Sequence, residues 1–333
     1  MKLARQATLW IATIALALTT FAQAPEPETV RPTGVSAPPA KERALKAKPV
    51  DTEEDEPKAK PKPKAKVKSK SARVRPKKAE QPPPGPPLPG GVPRTVAKSV
   101  MIVDARTGHT LYEKNADEFR PPASTQKLLT ALIIAEHGFL DQRVMVERMD
   151  TMSEPVNLGI RSGDTYQRID LLRALLVKSP NDVARCLARD HAGSVEAFAI
   201  LMNQRARALG ATHSHFVNPN GLPSPGQYST ARDLSIIARA AYANPTIRSI
   251  VCMPNLVFRF ANGRTRELEN TNKVLKSLPY CNGMKTGYTE AAGRCLIASG
   301  TRPGRDIIVV VLGATKATVW RDASALLSWG LWM

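Results

Sequence analysis

The spacing of apolar positions changes twice along this chain. From Thr95 to Asp104 (Thr-Val-Ala-Lys-Ser-Val-Met-Ile-Val-Asp) the β-branched content predicts a strand. Ala105-Arg-Thr-Gly108 reads as a turn, and residues 109–113 as the strand that pairs back to close a hairpin. Beyond Pro121-Pro122 the spacing becomes helical. Proline cannot sit inside a helix and disfavours helix for the residue before it, so a helix should begin just after Pro122 and end near Gly138. Its apolar residues Leu128, Leu129, Leu132, Ile133 and Ile134 lie almost all round, which marks a buried, central helix.

Helical spacing persists through the middle of the chain. Residues 143–146 read as a short strand, 169–177 as a helix broken at Lys178-Ser-Pro-Asn181, and 182–192 as its continuation. A further helix over 194–209 is closed by Gly210, and Ser229-Thr-Ala-Arg-Asp233 caps another that runs to Ala243. Between them, residues 216–228 are rich in Pro, Gly and Asn and read as loop. After Pro254 the period returns to two. Residues 256–260 and 265–269 flank an Asn262-Gly263 hairpin signal, and strands follow over 281–285, 294–299 and 306–312, then a helix over 318–329. The continuous apolar run at 306–312 should be the central strand. Strands at both ends with helices between them predict an α+β fold: an antiparallel sheet with flanking helices and an inserted helical lobe.

The first 94 residues follow neither pattern. Met1-Lys-Leu-Ala-Arg5 followed by the apolar run Ala7–Ala22 reads as an export signal, or an uncleaved anchor, over residues 1–24. Residues 25–94 are a Lys/Pro-rich linker with scarcely any apolar residue able to offset its ordering entropy, and disorder is expected there. Stretched at ~3.1 Å per residue, such a tether of about 70 residues reaches ~200 Å. The folded domain is expected over 95–333. No later segment is long and apolar enough to span a bilayer.

Charge sharpens this division. The formal net charge is +19, of which about +8 lies in residues 25–95 and about +9 in the part beyond. The block Lys58–Lys70 alternates lysine with small residues or proline, which suits an anionic lipid or cell-wall polymer in an exported chain. Nucleic acid is not expected, because an exported chain seldom meets it. The cysteines Cys186, Cys252, Cys281 and Cys295 match no metal-ligand spacing; an exported domain allows one or two disulfides among them, or four buried thiols.

Three short motifs carry the candidate chemistry. Ser124 and Lys127 stand three residues apart at the start of the apolar helix, so a hydroxyl and an amine share one face. Burial and the positive helix end both disfavour a charged Lys127, and a neutral amine beside a serine is a general base beside a nucleophile. Ser179-Pro-Asn181 lies about 55 residues later on a loop between helices, where Ser179 and Asn181 can point into one cleft. About 105 residues further on, Lys285-Thr286-Gly287-Tyr288 lies on a strand; Gly287 lets another backbone approach closely, and Lys285 with Thr286 can hold a carboxylate. Each motif alone is weak, since a helix cap, a helix-breaking turn or a strand edge explains it.

Together and in this order, Ser-x-x-Lys, Ser-x-Asn and Lys-Thr-Gly are the set of penicillin-binding proteins and class A β-lactamases. From about Val96 to Met333 the chain resembles the low-molecular-mass penicillin-binding proteins of the D-alanyl-D-alanine carboxypeptidase type. Asp104-Ala-Arg-Thr-Gly108, Asn220-Gly-Leu222, Tyr228-Ser-Thr-Ala-Arg-Asp233 and Lys285-Thr-Gly-Tyr-Thr-Glu-Ala-Ala-Gly-Arg294 add to the match. The resemblance implies a β-lactamase/transpeptidase-like fold and an enzyme that trims the terminal D-Ala from peptidoglycan stem peptides. It implies that Ser124 is acylated, Lys127 takes its proton and Ser179 relays a proton to the leaving nitrogen. Asn181 then orients the donor, Lys285 and Thr286 hold its carboxylate, and the N–H groups of Ser124 and Tyr288 form the oxyanion hole. β-Lactams are the implied inhibitors, and neither metal nor cofactor is implied.

The resemblance has limits. Pro180 occupies a position more often filled by a small residue. The family often continues with a second β-rich domain and an amphipathic anchor, neither of which follows Trp329-Gly-Leu-Trp-Met333. A DD-endopeptidase acting on cross-links uses the same site. A class A β-lactamase needs a glutamate to activate water, and Glu196, Glu267 and Glu269 lie in unsuitable patterns. A wall-binding module with a decayed site is disfavoured by the six intact motif residues.

Overall fold

The computed structural model describes residues 86–333; the expected export segment, the linker as far as residue 85 and the Lys58–Lys70 block lie outside them. The order along the chain is β1 (Ser99–Asp104), β2 (Thr110–Lys114), α1 (Lys127–His137), β3 (Arg143–Met145), β4 (Thr165–Gln167), α2 (Arg168–Val177), α3 (Asn181–Ala192), α4 (Val195–Leu209), α5 (Ala231–Ala243) and α6 (Pro245–Val251). It continues with β5 (Asn255–Arg259), β6 (Thr265–Glu269), α7 (Val274–Ser277), β7 (Cys281–Thr289), β8 (Gly293–Arg302), β9 (Arg305–Ala314) and α8 (Val319–Trp332).

One five-stranded sheet, in the order β2-β1-β9-β8-β7, joins the two ends of the described chain, and every neighbouring pair is antiparallel. β9 is the middle strand, as its apolar run predicts, and the physical reason is visible in its alternation. Ile308, Val310 and Leu312 face the core shared with the helical lobe, whereas Ile307, Val309 and Val311 face the layer containing α8. A strand covered on both faces needs apolar residues at every position. The short ladders β3–β4 and β5–β6 stand apart from this sheet.

α1 is the axis of the helical lobe. It touches α2, α3, α4 and α5, and residues Lys127 to Ile134 are all buried, so its apolar residues have no wet side to avoid. α5 packs on β1 and β9 and carries the lobe against the sheet. Residues before Thr95 also touch the domain: Val92 is buried in the α8 layer, and Trp329 Nε1 donates to the Gly90 carbonyl at 3.1 Å. All four cysteines are free, three of them buried. Of the two readings the sequence left open, that of buried, unpaired thiols holds for Cys186, Cys281 and Cys295, whereas Cys252, unpaired too, is exposed.

Two local expectations need correction. α1 does not begin at Ser124. Residues Ala123–Gln126 form a tight 3-10 turn and the α-helix starts at Lys127. Ala123, at φ 48°, cannot join a right-handed helix, so the left-handed kink lies at the entry to the turn, which then runs on into α1 through Gln126 and Lys127 with helical dihedrals. The strand expected over 281–285 runs on to Thr289, because its glycines are paired in the ladder with β8 rather than ending it.

Candidate active site

The three motifs meet where α1, the α2–α3 junction and β7 converge. A 3-10 turn stacks residues i and i+3 more closely than an α-helix does, and Ser124 and Lys127 take those positions. Lys127 is completely buried, with its Nζ 2.9 Å from Ser124 Oγ, 2.7 Å from Asn181 Oδ1, 3.0 Å from the Ser179 carbonyl and 3.3 Å from Ser179 Oγ. Burial holds its pKa well below the usual lysine range; the nearby Lys285 lowers it further, and Asp182 opposes both. A neutral amine has two N–H donors and one lone pair. The Ser179 carbonyl and Asn181 Oδ1 accept the two donors, which leaves the lone pair facing the Ser124 hydroxyl. In that state the pair is arranged for proton transfer from oxygen to nitrogen.

Ser179 is held by strain. Its φ is 70°, a left-handed value for a residue with a side chain, followed by Pro180 in extended conformation. The conformation brings both its hydroxyl and its carbonyl to Lys127. The sequence offered no signal for it beyond the proline. Asp182 fixes the same turn from behind. Its buried carboxylate accepts from the N–H groups of Leu158 (2.9 Å), Gly159 (2.8 Å) and Val183 (2.9 Å), and Asn181 N–H donates to the Val156 carbonyl at 2.7 Å. In Asp182→Asn a carboxamide N–H faces backbone donors. The expected cost is about 1–3 kcal/mol of stability, measured by chemical denaturation.

β7 supplies the third side. Lys285 is buried, its Nζ donates to the Thr286 carbonyl at 3.1 Å, and burial pushes its pKa down to about 7. Thr286 Oγ1 donates to Thr271 Oγ1 at 2.7 Å. Gly287 does admit another backbone, and that backbone is the serine turn: a Cβ there would stand 2.9 Å from Ser124 N and 3.1 Å from Thr125 N. Tyr288, the next residue, is exposed and lies under the Arg294 guanidinium at 4.2 Å.

Sequence reasoning named no role for three residues that shape this site. Gly221 (φ 85°) presses on the serine turn so closely that a Cβ would collide with the Ala123 carbonyl. The Asn220 carbonyl lies 3.3 Å from Ser124 Oγ. Both belong to Asn220-Gly-Leu222, whose positive-φ glycine was the available signal. Thr271 carried none; it reaches Thr286 because the buried residues Asn270 and Asn272 brace its loop, with Asn270 Nδ2 donating to the Met253 carbonyl at 2.8 Å.

An antiparallel sheet and helical lobe that set a partly exposed serine against a buried lysine define a serine acyl-transfer enzyme of the penicillin-binding architecture. The chain belongs to the D-alanyl-D-alanine carboxypeptidase family (peptidase S11), whose family model matches residues 88–316. It is 35% identical over 256 residues to the D-alanyl-D-alanine carboxypeptidase DacB2 of Mycobacterium tuberculosis, covering 75% of this chain and 86% of that one. It is 34% identical over 242 residues to a D-alanyl-D-alanine endopeptidase of Escherichia coli, covering 71% and 78%. The crystal structure of a Streptomyces DD-transpeptidase superposes with a TM-score of 0.68 at 30% identity, covering 72% of this chain and 98% of that one. The chain spans only 58% and 62% of the length of two other curated carboxypeptidases that it matches.

Proposed function

We propose that this protein is a serine D-alanyl-D-alanine carboxypeptidase that removes the terminal D-Ala from peptidoglycan stem peptides. The observation that carries the reading is the fully buried Lys127 Nζ set 2.9 Å from Ser124 Oγ. Ser124 Oγ attacks the carbonyl between the two D-alanines while Lys127 takes the hydroxyl proton. The tetrahedral oxyanion is met by the N–H groups of Ser124 and Tyr288; one such donor supports about 3–4 kcal/mol of transition-state stabilisation. Ser179, 3.3 Å from the Lys127 amine, passes a proton to the departing D-Ala nitrogen. Asn181 orients the donor amide. Lys285, with the hydroxyls of Thr286 and Thr271, holds the terminal carboxylate. Water then attacks the acyl-enzyme and frees Ser124. β-Lactams enter by the same attack on their ring carbonyl.

A second reading, cleavage of cross-links by the same site, is favoured by the match to a named endopeptidase over 78% of its length. The test is to supply Nα,Nε-diacetyl-L-Lys-D-Ala-D-Ala and, separately, a cross-linked muropeptide dimer. Free D-Ala from the first supports the carboxypeptidase; conversion of the dimer to monomers without free D-Ala supports the alternative. A lactamase would need a carboxylate poised for water. Glu196 is instead in the first turn of α4, and Glu267 and Glu269 lie on the β5–β6 hairpin.

pH dependence follows from the two lysines. Turnover needs Lys127 neutral and Lys285 charged. With carboxylate donors kcat/KM should rise as Lys127 loses its proton and fall above about pH 7 as Lys285 loses its own. A C-terminally amidated donor should show the acid limb without the alkaline one. A flat profile above pH 7 with the carboxylate donor would mean that Lys285 does not hold the carboxylate through its charge.

No helix among the described residues is long and apolar enough to cross a membrane. The domain's work at the cell wall fits an exported chain, with residues 1–24 directing export and Lys58–Lys70 meeting an anionic lipid or wall polymer. Co-sedimentation of the full chain, but not of one lacking residues 25–94, with anionic vesicles or purified wall polymer tests the second role.

A further inference from the structure

The serine has a second neighbour of which the proposed reaction makes no use. Ser124 Oγ lies 3.3 Å from the Asn220 carbonyl. The two carbonyls before that one are also taken, in order. Gln126 Nε2 donates to the Asn218 carbonyl, and Thr130 Oγ1 donates to the Pro219 carbonyl at 2.7 Å. Three successive carbonyls therefore meet the start of α1, at residues 126, 130 and 124. Gln126 and Thr130 stand four residues apart, so they offer their donors from one face of the helix.

The stretch that carries these carbonyls is tied to itself. Pro219 fixes its own φ. Asn218 Oδ1 accepts from Gly221 N–H at 2.8 Å and Asn218 Nδ2 donates to the Leu222 carbonyl at 3.0 Å, while Asn220 Oδ1 accepts from Leu222 N–H at 3.1 Å. Gln227 closes the outer end, its Oε1 accepting from Val217 N–H at 3.1 Å and its Nε2 donating to the Leu222 carbonyl at 2.8 Å. In a turn braced in this way, donors on the first two carbonyls set where the third one stands.

Gln126 is wholly buried, and its Oε1 has no hydrogen-bond partner among the described residues. An orphaned buried acceptor opposes folding and offsets the bond that Nε2 makes. The amide therefore adds little net stability. What it does add is the position of the Asn218 carbonyl.

We infer that Gln126 and Thr130 are positioning residues for the nucleophile: they hold the carbonyls of residues 218–220 against α1 so that the Asn220 carbonyl receives the Ser124 hydroxyl. While Lys127 keeps its proton, its Nζ donates to Ser124 Oγ and the hydroxyl hydrogen points at Asn220. When Lys127 is neutral the hydrogen turns to its lone pair, and the oxygen stays in place. This rests on the reading of Ser124 as the nucleophile.

The test is stopped-flow acylation of the full chain by a reporter penicillin, which separates reversible binding from the acylation step. Gln126→Met keeps the length of the side chain and removes the donor. It should slow the acylation step about 10- to 100-fold, the scale of a displaced nucleophile. The binding constant should stay within about twofold, since the contact is not made to the ligand. The melting midpoint should stay within about 3 °C, because the lost bond and the removed orphan nearly cancel. Thr130→Val, of the same shape, should show the same split between binding and acylation, and Thr130→Ser, which keeps the hydroxyl, should recover most of the rate. The Thr130 pair carries the test if Gln126→Met does not fold. An acylation step unchanged in the folded variants, a loss confined to the binding constant, or a loss in Thr130→Val that Thr130→Ser fails to recover overturns the positioning role and leaves Ser124 as the nucleophile. Absence of an adduct on Ser124 in the unaltered chain overturns both.

Discussion

Lys127→Met should slow acylation of Ser124 by about 10²–10⁴-fold, for β-lactams and for D-Ala-D-Ala donors alike. Methionine matches the lysine stem and fills the same buried space, so the lobe should still fold. What disappears is the lone pair 2.9 Å from the serine hydroxyl. Lys285 cannot take over, since its Nζ is engaged with the Thr286 carbonyl on β7. The fold loses only the donor to Asn181 Oδ1 and the Ser179 carbonyl, about 1–3 kcal/mol. Stopped-flow acylation with a reporter penicillin, beside a denaturation curve, separates the two effects. A folded variant that keeps more than a tenth of the acylation rate would place the base elsewhere.

Gly221→Ala should be nearly as damaging without touching any reacting group. At φ 85° an alanine is strained wherever it sits, and here its methyl collides with the Ala123 carbonyl that opens the serine turn. Overpacking of this kind costs about 1–3 kcal/mol beyond the backbone strain. The turn must yield, and a displacement near 1 Å at a nucleophile can cost about 10² in rate. Gly226→Ala is the control. It lies on the same loop at φ 77°, but its nearest neighbour would be His215 Nδ1 at 3.9 Å, so only the backbone strain applies. Similar kcat/KM values in the two variants would show that the contact with Ala123 does not position Ser124.

These residues also show how far the sequence could be read. The order of the sheet strands and of α1 to α5 and α8, the central place of β9 and the burial of α1 follow from period and composition, because β9 is covered on both faces and α1 on every side from Lys127 to Ile134, whereas α6 and α7 were not read. The three motifs announced Ser124, Lys127, Ser179, Asn181, Lys285 and Thr286, and the fold brings them to one junction. What remained hidden depends on long-range packing. Ala123 is left-handed where Gly221 and Gly287 close on it from loop and strand, and no local pattern encodes that approach. The left-handed Ser179 likewise meets a distant partner, Lys127, through its carbonyl. Thr271 lies 15 residues from Thr286 on a loop without period, and only the bracing by Asn270 and Asn272 brings the two hydroxyls to 2.7 Å. The β3–β4 ladder was half seen, since β4 is three residues long and carries no alternation of its own.

The most direct measurement is to incubate the full chain and its Ser124→Ala variant with a fluorescent penicillin, then identify the labelled peptide by mass spectrometry. A stable adduct on the peptide containing Ser124, absent from the variant, is the expected result. An adduct on another residue, or equal labelling of both proteins, would contradict the assignment of Ser124 as the nucleophile.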